Sequence, residues 1–185
     1  MKVIYIIGLP GTGKTTLMKR FMEQYEWTPN RPIDLLDSHV SGNIRVLGKY
    51  EEGEIYAGTD RLSMAVSPKA IEYIQTRPDE VIIGEGDRLN SKTFFSACGE
   101  DLTIIHLEVG DETRERRYKE RGSNQSDKFI QTVRTKVSNV LDMFGPRVTL
   151  FGSEEGCVHS FKHETEEDTE KIIKFLKNLL TNSKI

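Results

Sequence analysis

Long apolar runs are missing from this sequence. No stretch approaches the ~18 apolar residues a membrane-spanning helix requires, so no span is expected. Cysteine is scarce as well. Cys98 and Cys157 stand alone, in apolar or strand-like surroundings. Two thiols without a framework argue against a disulfide-stapled secreted domain and read as reduced and buried, which fits the cytoplasm. No Cys/His spacing suggests zinc. Positive charge is not in excess: 26 Lys and Arg face 29 Asp and Glu, for a formal net charge of −3. A broad non-specific nucleic-acid footprint is therefore not expected, although a local basic patch is compatible with this balance. Internal repeats and low-complexity linkers are absent. The N-terminal apolar run is too short for a signal-peptide core.

What is present starts at residue 8. Gly8-Leu9-Pro10-Gly11-Thr12-Gly13-Lys14-Thr15 has the form G-x-x-x-x-G-K-[ST], the phosphate-binding P-loop. The β-branched run Val3, Ile4, Ile6, Ile7 precedes it and predicts a buried parallel strand. Leu17, Met18, Phe21, Met22 and Tyr25 follow at helical spacing. Strand, glycine loop and helix are the context the motif needs. Gly8, Gly11 and Gly13 let backbone N–H groups turn inward on an anion, and the helix start points its positive end at the same place. Lys14 is expected to reach the β- and γ-phosphates and Thr15 to ligate Mg²⁺, with Thr12 and Thr16 beside them in the nucleotide site. At ordinary residue frequencies the four fixed letters arise by accident in roughly 1 in 100 chains this long, before the flanking elements are counted.

The 185 residues, 36% hydrophobic and 30% charged, suit one domain with a proper core. The first helix is expected over residues 14–26 and a second strand over 33–37. Short strand candidates at 39–40, 44–47 and 55–56, separated by glycine-bearing turns, predict a small antiparallel insertion near 38–58. Ser67-Pro68 is expected to open a helix carrying Ile71 and Ile74. Val81, Ile82 and Ile83 form a second buried strand. A short helix through Phe94 and Phe95, a strand over 102–109, a charged helix over 111–122 and a long amphipathic helix from Phe129 to Phe144 come next. Strand candidates at 148–151 and 157–161 precede a last helix beginning near Thr165, where Asp168 makes a partial capping box. Strands alternating with helices predict a parallel sheet covered on both faces, with the chemistry at its carboxyl edge.

Three constellations carry candidate chemistry. Glu85 and Asp87 close the second buried strand, where a carboxylate can hold Mg²⁺ or accept a proton from an attacking hydroxyl. The residues leave open which does which; Arg88 next to them binds a phosphate or pairs with Asp87. On the charged helix, Arg114, Arg117 and Arg121 share one face with Tyr118 beside them. Three like charges repel unless an anion answers them, and a triphosphate does so. The third is the segment 58–63, where Asp60 and Arg61 can read a polar substrate. His39, Arg45 and Tyr56 are weaker candidates for the same surface. His106 is read as a satisfied structural histidine, and His159 and His163 lie near the last strand.

The P-loop, the Glu85 strand end and the arginine helix together resemble the P-loop kinases related to nucleotide and nucleoside kinases. That resemblance implies a P-loop NTPase three-layer α/β/α fold with a mostly parallel five-stranded sheet, ATP with Mg²⁺, and an arginine-bearing lid at 111–125. Residues 46–50 and 58–64 are similar to a family of small phage-encoded kinases, some of which phosphorylate 5-hydroxymethyluracil in DNA. This implies a primary alcohol as acceptor, Glu85 or Asp87 as general base, and a location in the host cytoplasm. A base inside a duplex has to be flipped out to be reached. A free nucleoside, nucleotide or other small molecule is the alternative acceptor. A regulatory P-loop NTPase without an acceptor is the alternative of another class. The missing N-K-x-D and L-S-G-G-Q motifs argue against a GTPase or a transporter-type ATPase. Oligomeric state is not legible.

Overall fold

The computed structural model describes residues 1–51, 57–78, 80–120, 122, 126–149, 152–154 and 156–181, with 147–149 and 152–154 described by their backbone. In chain order the elements are β1 (Lys2–Ile7), α1 (Lys14–Met22), β2 (Thr28–Asn30), β3 (Ser38–Ser41), β4 (Ile44–Leu47), α2 (Val66–Gln75), β5 (Val81–Glu85) and α3 (Lys92–Cys98). Then follow β6 (Leu102–Glu108), α4 (Asp111–Glu120), α5 (Asp127–Phe144), β7 (Arg147–Thr149), β8 (Gly152–Glu154), β9 (Val158–Lys162) and α6 (Glu166–Thr181).

The main sheet has seven strands in the order β2-β3-β4-β5-β1-β6-β9. Five of them, β4, β5, β1, β6 and β9, run parallel. The count of parallel strands matches expectation, but the sheet does not stop there. The insertion is not a separate excursion. Its hairpin turns at residues 42–43, places β4 in parallel pairing beside β5, and extends the sheet edge with antiparallel β3 and β2. Residues 33–37 are not a strand: Leu35 has φ 64°, a turn conformation, and the polar triplet Thr28–Asn30 supplies the edge strand instead. The strand candidate at 55–56 lies outside the described residues. The first helix ends four residues early, and the Trp27 indole donates to the Met22 carbonyl as the chain leaves it. The second helix starts at Val66, two residues before Pro68, without a side-chain cap.

Alternation along β1 divides the core. Val3, Tyr5 and Ile7 face α2, α3 and α5, meeting Ala70, Phe94 and Val137. Ile4 and Ile6 face α1 and α6, meeting Leu17, Phe21 and Ile172. Both faces are covered, which is why β1 and β5 read as continuous apolar runs. The Thr165–Asp168 capping box forms at the start of α6: each backbone N–H donates to the other's side chain, at 2.9 and 3.1 Å. Both cysteines are free. No helix among the described residues is long and apolar enough to cross a membrane.

After β1 the chain builds the sheet on one side, and after β5 it crosses to the other. The carboxyl ends of β1 and β5 therefore open a crevice at the switch point.

Candidate active site

Loop 8–15 lies in that crevice. Gly11 and Gly13 have φ of 86° and 88°, which side-chain-bearing residues rarely adopt. At Gly13 the need is doubled, because a Cβ would fall 2.7 Å from the His163 ring. The Thr12 hydroxyl donates to the Leu9 carbonyl at 2.8 Å, closing the loop on itself. Lys14 curls back over it, donating to the Gly8 and Leu9 carbonyls at 2.8 and 3.2 Å. Thr16, on the next position of α1, is exposed.

The parallel register sets Glu85 opposite Ile6, just before the loop. Thr15 donates its hydroxyl to Glu85 Oε1 at 3.0 Å. Glu85 is 1% exposed. Burial pushes its carboxyl up to about 7, against the opposing influence of Lys14 and Thr15. A cation bound beside it would offset that penalty and favour the ionised form. A carboxylate and a hydroxyl at the end of a phosphate loop are the oxygen donors Mg²⁺ takes alongside phosphate and water.

The acceptor side of the crevice is built by residues 57–60 and 86–90. The Tyr5 hydroxyl lies 3.0 Å from both the Gly86 carbonyl and Thr59 Oγ1, and Thr59 donates to the Glu85 carbonyl at 2.8 Å. Gly58, at φ 74°, packs so tightly on Glu85 that a Cβ would fall 2.4 Å from Oε1. Asp60 Oδ1 accepts from the Asp87 and Arg88 backbone N–H groups at 2.7 and 3.1 Å. Asp87 Oδ2 meets Lys136 of α5 at 2.6 Å, while its Oδ1 is buried without a partner among the described residues. The Tyr50 hydroxyl is near Glu85, buried and outside hydrogen-bond geometry.

The charged helix α4 comes down on the loop as expected, but its arginines grip protein. Arg114 is buried, pairs with Asp111 at 3.0 Å and packs against Gly11. Arg117 donates to the carbonyls of Gly11, His163 and Glu164 at 3.4, 3.1 and 3.2 Å. Arg121 and residues 123–125, the end of the expected lid, lie outside the described residues. Arg61 points to Glu51, and Arg88 to Met64 and the Asp60 carbonyl. Neither arginine lines the P-loop cavity, whereas Asp60 and Asp87 do. Arg45 is buried and engaged with Glu80, Asn30 and Ser38, so it does not serve an acceptor surface. Tyr56, proposed with it, lies outside the described residues. His39 packs on Tyr50, and His159 on Phe175. His106 is satisfied by Ser160 and Glu108.

Several site residues carried little sequence signal. His163 Nδ1 lies 2.7 Å from the Thr12 carbonyl and Nε2 3.0 Å from Thr169 Oγ1. A carbonyl only accepts, so Nδ1 carries a proton; burial lowers the ring's pKa and favours its neutral form. Tyr5 betrayed itself only as a lone hydroxyl in an apolar strand, a group that needs a partner when buried. Lys136 interrupts the stripe that holds Val133, Val137 and Val140.

Comparison with known proteins places the chain among the P-loop kinases. A family model described as P-loop Nucleotide Kinase3 matches residues 1–172. Adenylate kinase isoenzyme 1 of Homo sapiens is 25% identical over 177 residues, covering 91% of this chain and 89% of that protein. The Sus scrofa protein of the same name is 25% identical over 176 residues, covering 90% and 89%. A solved gluconokinase from Sinorhizobium meliloti 1021 matches with a TM-score of 0.49 and 13% identity, covering 99% of this chain and 98% of that one.

Proposed function

This chain belongs to the P-loop nucleotide kinase family and is a P-loop phosphotransferase; within that class, we propose that it transfers the γ-phosphoryl group of ATP to a neutral alcohol rather than to a phosphate. One observation carries this reading. Among the described residues that line the P-loop cavity, three bear carboxyl groups, Asp60, Glu85 and Asp87, and one, Lys14, bears a cation, with Lys136 reaching Asp87 from outside the lining. A phosphate monoester entering there would meet like charge, whereas a hydroxyl would meet acceptors for its proton.

Lys14 leaves the loop carbonyls for the β- and γ-phosphate oxygens, which backbone N–H groups of the loop would also hold. Thr15 and Glu85 are the residues that would hold Mg²⁺, which when bound neutralises charge on the transferring group. With Glu85 turned to the metal side, Asp87 takes the base role. Its unpartnered Oδ1 accepts the hydroxyl proton, with Lys136 steadying the other oxygen. The acceptor oxygen bonds to the γ-phosphorus as the bond to the β–γ bridging oxygen breaks, and ADP leaves. Catalysis is positioning and charge neutralisation.

The leading acceptor is a free nucleoside-type molecule. A hydroxymethylated pyrimidine in DNA is also an alcohol and stays within the proposal. A strand, however, needs phosphate contacts, and Lys49, Arg61 and Arg88 of the acceptor segment are turned to Asp37, Glu51 and Met64. The test is transfer from γ-labelled ATP with Mg²⁺ to nucleosides, nucleoside monophosphates, a 5-hydroxymethyluracil duplex and plain DNA. Label in nucleosides is expected. Label confined to monophosphates overturns the alcohol reading, and label confined to the modified duplex moves the acceptor to DNA. Hydrolysis with no labelled acceptor overturns transfer altogether.

A further inference from the structure

A second cavity, of about 560 Å³, opens between the start of α3 and the C-terminal half of α5. Its volume suits a ligand of drug or nucleoside size. Val140, Met143 and Phe144 give it an apolar wall, and Asn90, Asn139 and Lys92 give it a polar rim.

It is not independent of the P-loop cavity. Asn90 lines both. Helix α5 runs past both as well: Phe129 and Val133 line the first cavity, and Lys136, Val140 and Phe144 line the second. The Lys136–Asp87 pair stands at the junction. The two spaces are neighbours that share Asn90 and the flank of α5, with the proposed reacting end at Asp87.

Asn90 is the telling residue. It is 4% exposed, and its side-chain Oδ1 is buried with no hydrogen-bond partner among the described residues. A buried amide oxygen left unsatisfied is costly, so such a group calls for an explanation. A ligand edge that offers a hydrogen-bond donor would supply one. The formal charges lining the groove are Lys92, Lys136 and Asp142, with Lys136 already answered by Asp87. The groove therefore has little unanswered charge, and a flat ring with a polar edge fits it better than a second phosphate group.

We infer that this groove seats the non-reacting part of the acceptor: the ring of a neutral nucleoside lies against Val140, Met143 and Phe144, and the Asn90 amide reads its edge. The inference rests on the alcohol reading above, which supplies the reacting end. It adds a specificity site that the P-loop motif and the acidic strand end do not contain.

The test uses two variants of the whole protein. Asn139 is exposed on the groove rim, so Asn139→Trp fills the groove without touching the core. Asn90→Ala removes the reading amide. Binding of thymidine and 5-hydroxymethyl-2′-deoxyuridine is measured by equilibrium dialysis with a non-hydrolysable ATP analogue present, so the readout does not depend on turnover. The analogue's own affinity in the same samples separates a lost groove from a lost fold. A tenfold or greater loss of nucleoside affinity in both variants, with the analogue still bound, is expected. Unchanged nucleoside affinity in Asn139→Trp overturns the groove assignment. Loss in Asn139→Trp but not in Asn90→Ala overturns the role of the amide. If the wild type phosphorylates no alcohol yet binds nucleosides with this pattern, the alcohol reading fails while the groove stands. If it phosphorylates an alcohol and both variants bind it normally, the groove fails alone.

Discussion

At the scale of single residues, Glu85 concentrates the site's titration behaviour. Burial raises its carboxyl from 4.5 to about 7, so the folded state prefers the protonated form. That preference is fully present below the unfolded value of 4.5 and is lost as pH rises through about 7. Glu85→Gln imitates the protonated form. Without Mg²⁺ it should match wild-type stability near pH 4.5 and exceed it by about 3 kcal/mol above pH 7, read by urea denaturation across that range. A Mg²⁺–nucleotide complex favours the ionised carboxylate. Its binding to the wild type near pH 7 should therefore release a proton, visible by calorimetry in buffers of different ionisation enthalpy, and Glu85→Gln should lose that release. Lys14, Thr15 and Glu85 were legible in the sequence because motif and strand pattern fix their places along the chain. Asn90, Lys136 and His163 were not. Each acquires its meaning from a partner 49 or more residues away, or from the lack of one, and no spacing encodes that.

At the scale of elements, α4 and the hairpin show what pattern reading reaches. The arginine face of α4 was legible as like charges needing an answer. That the answer for Arg117 is three backbone carbonyls was not, because carbonyls leave no mark in the side-chain sequence. Arg117→Met leaves Gly11 and the 163–164 turn without their common donor. The KM for ATP should rise about tenfold, a loss of about 1.4 kcal/mol, with a smaller change in acceptor KM, measured by steady-state kinetics. The hairpin was misjudged for a related reason. Its strands were seen, but nothing local states that β4 pairs beside β5. Arg45 supplies part of that statement by gripping Glu80, just ahead of β5, at 2.7 Å through both Nε and Nη2. Arg45→Met leaves the half-buried Glu80 carboxylate unanswered and should cost about 3 kcal/mol in denaturation. Arg45 and Tyr73 hold the Glu80 carboxyl below its usual value despite burial. The pair's contribution is therefore present above the ordinary glutamate range and fades as pH falls through it, and the deficit of Arg45→Met should shrink in acid.

At the scale of the whole molecule, the parallel sheet and its two covered faces followed from apolar runs alternating with amphipathic helices. Its extension to seven strands depended on a polar edge segment of three residues, too short and too hydrophilic to announce itself. A nucleotide that binds only the folded chain adds RT ln(1 + [L]/Kd) to its stability, about 2.7 kcal/mol at a hundredfold excess over Kd. Mg²⁺-ADP at that excess should raise the melting temperature by about 5–11 °C in calorimetry, and Lys14→Ala should abolish most of the rise. The same molecule has an order in time. Thr12 is held by His163, 151 positions later, and Gly11 by Arg117, 106 positions later. A nascent chain stalled on the ribosome with residues through 150 exposed would carry the whole phosphate motif yet lack the histidine that steadies it. Such a chain should retain far less ATP affinity than the released protein. The donor half of the site is the first part written and among the last to become competent.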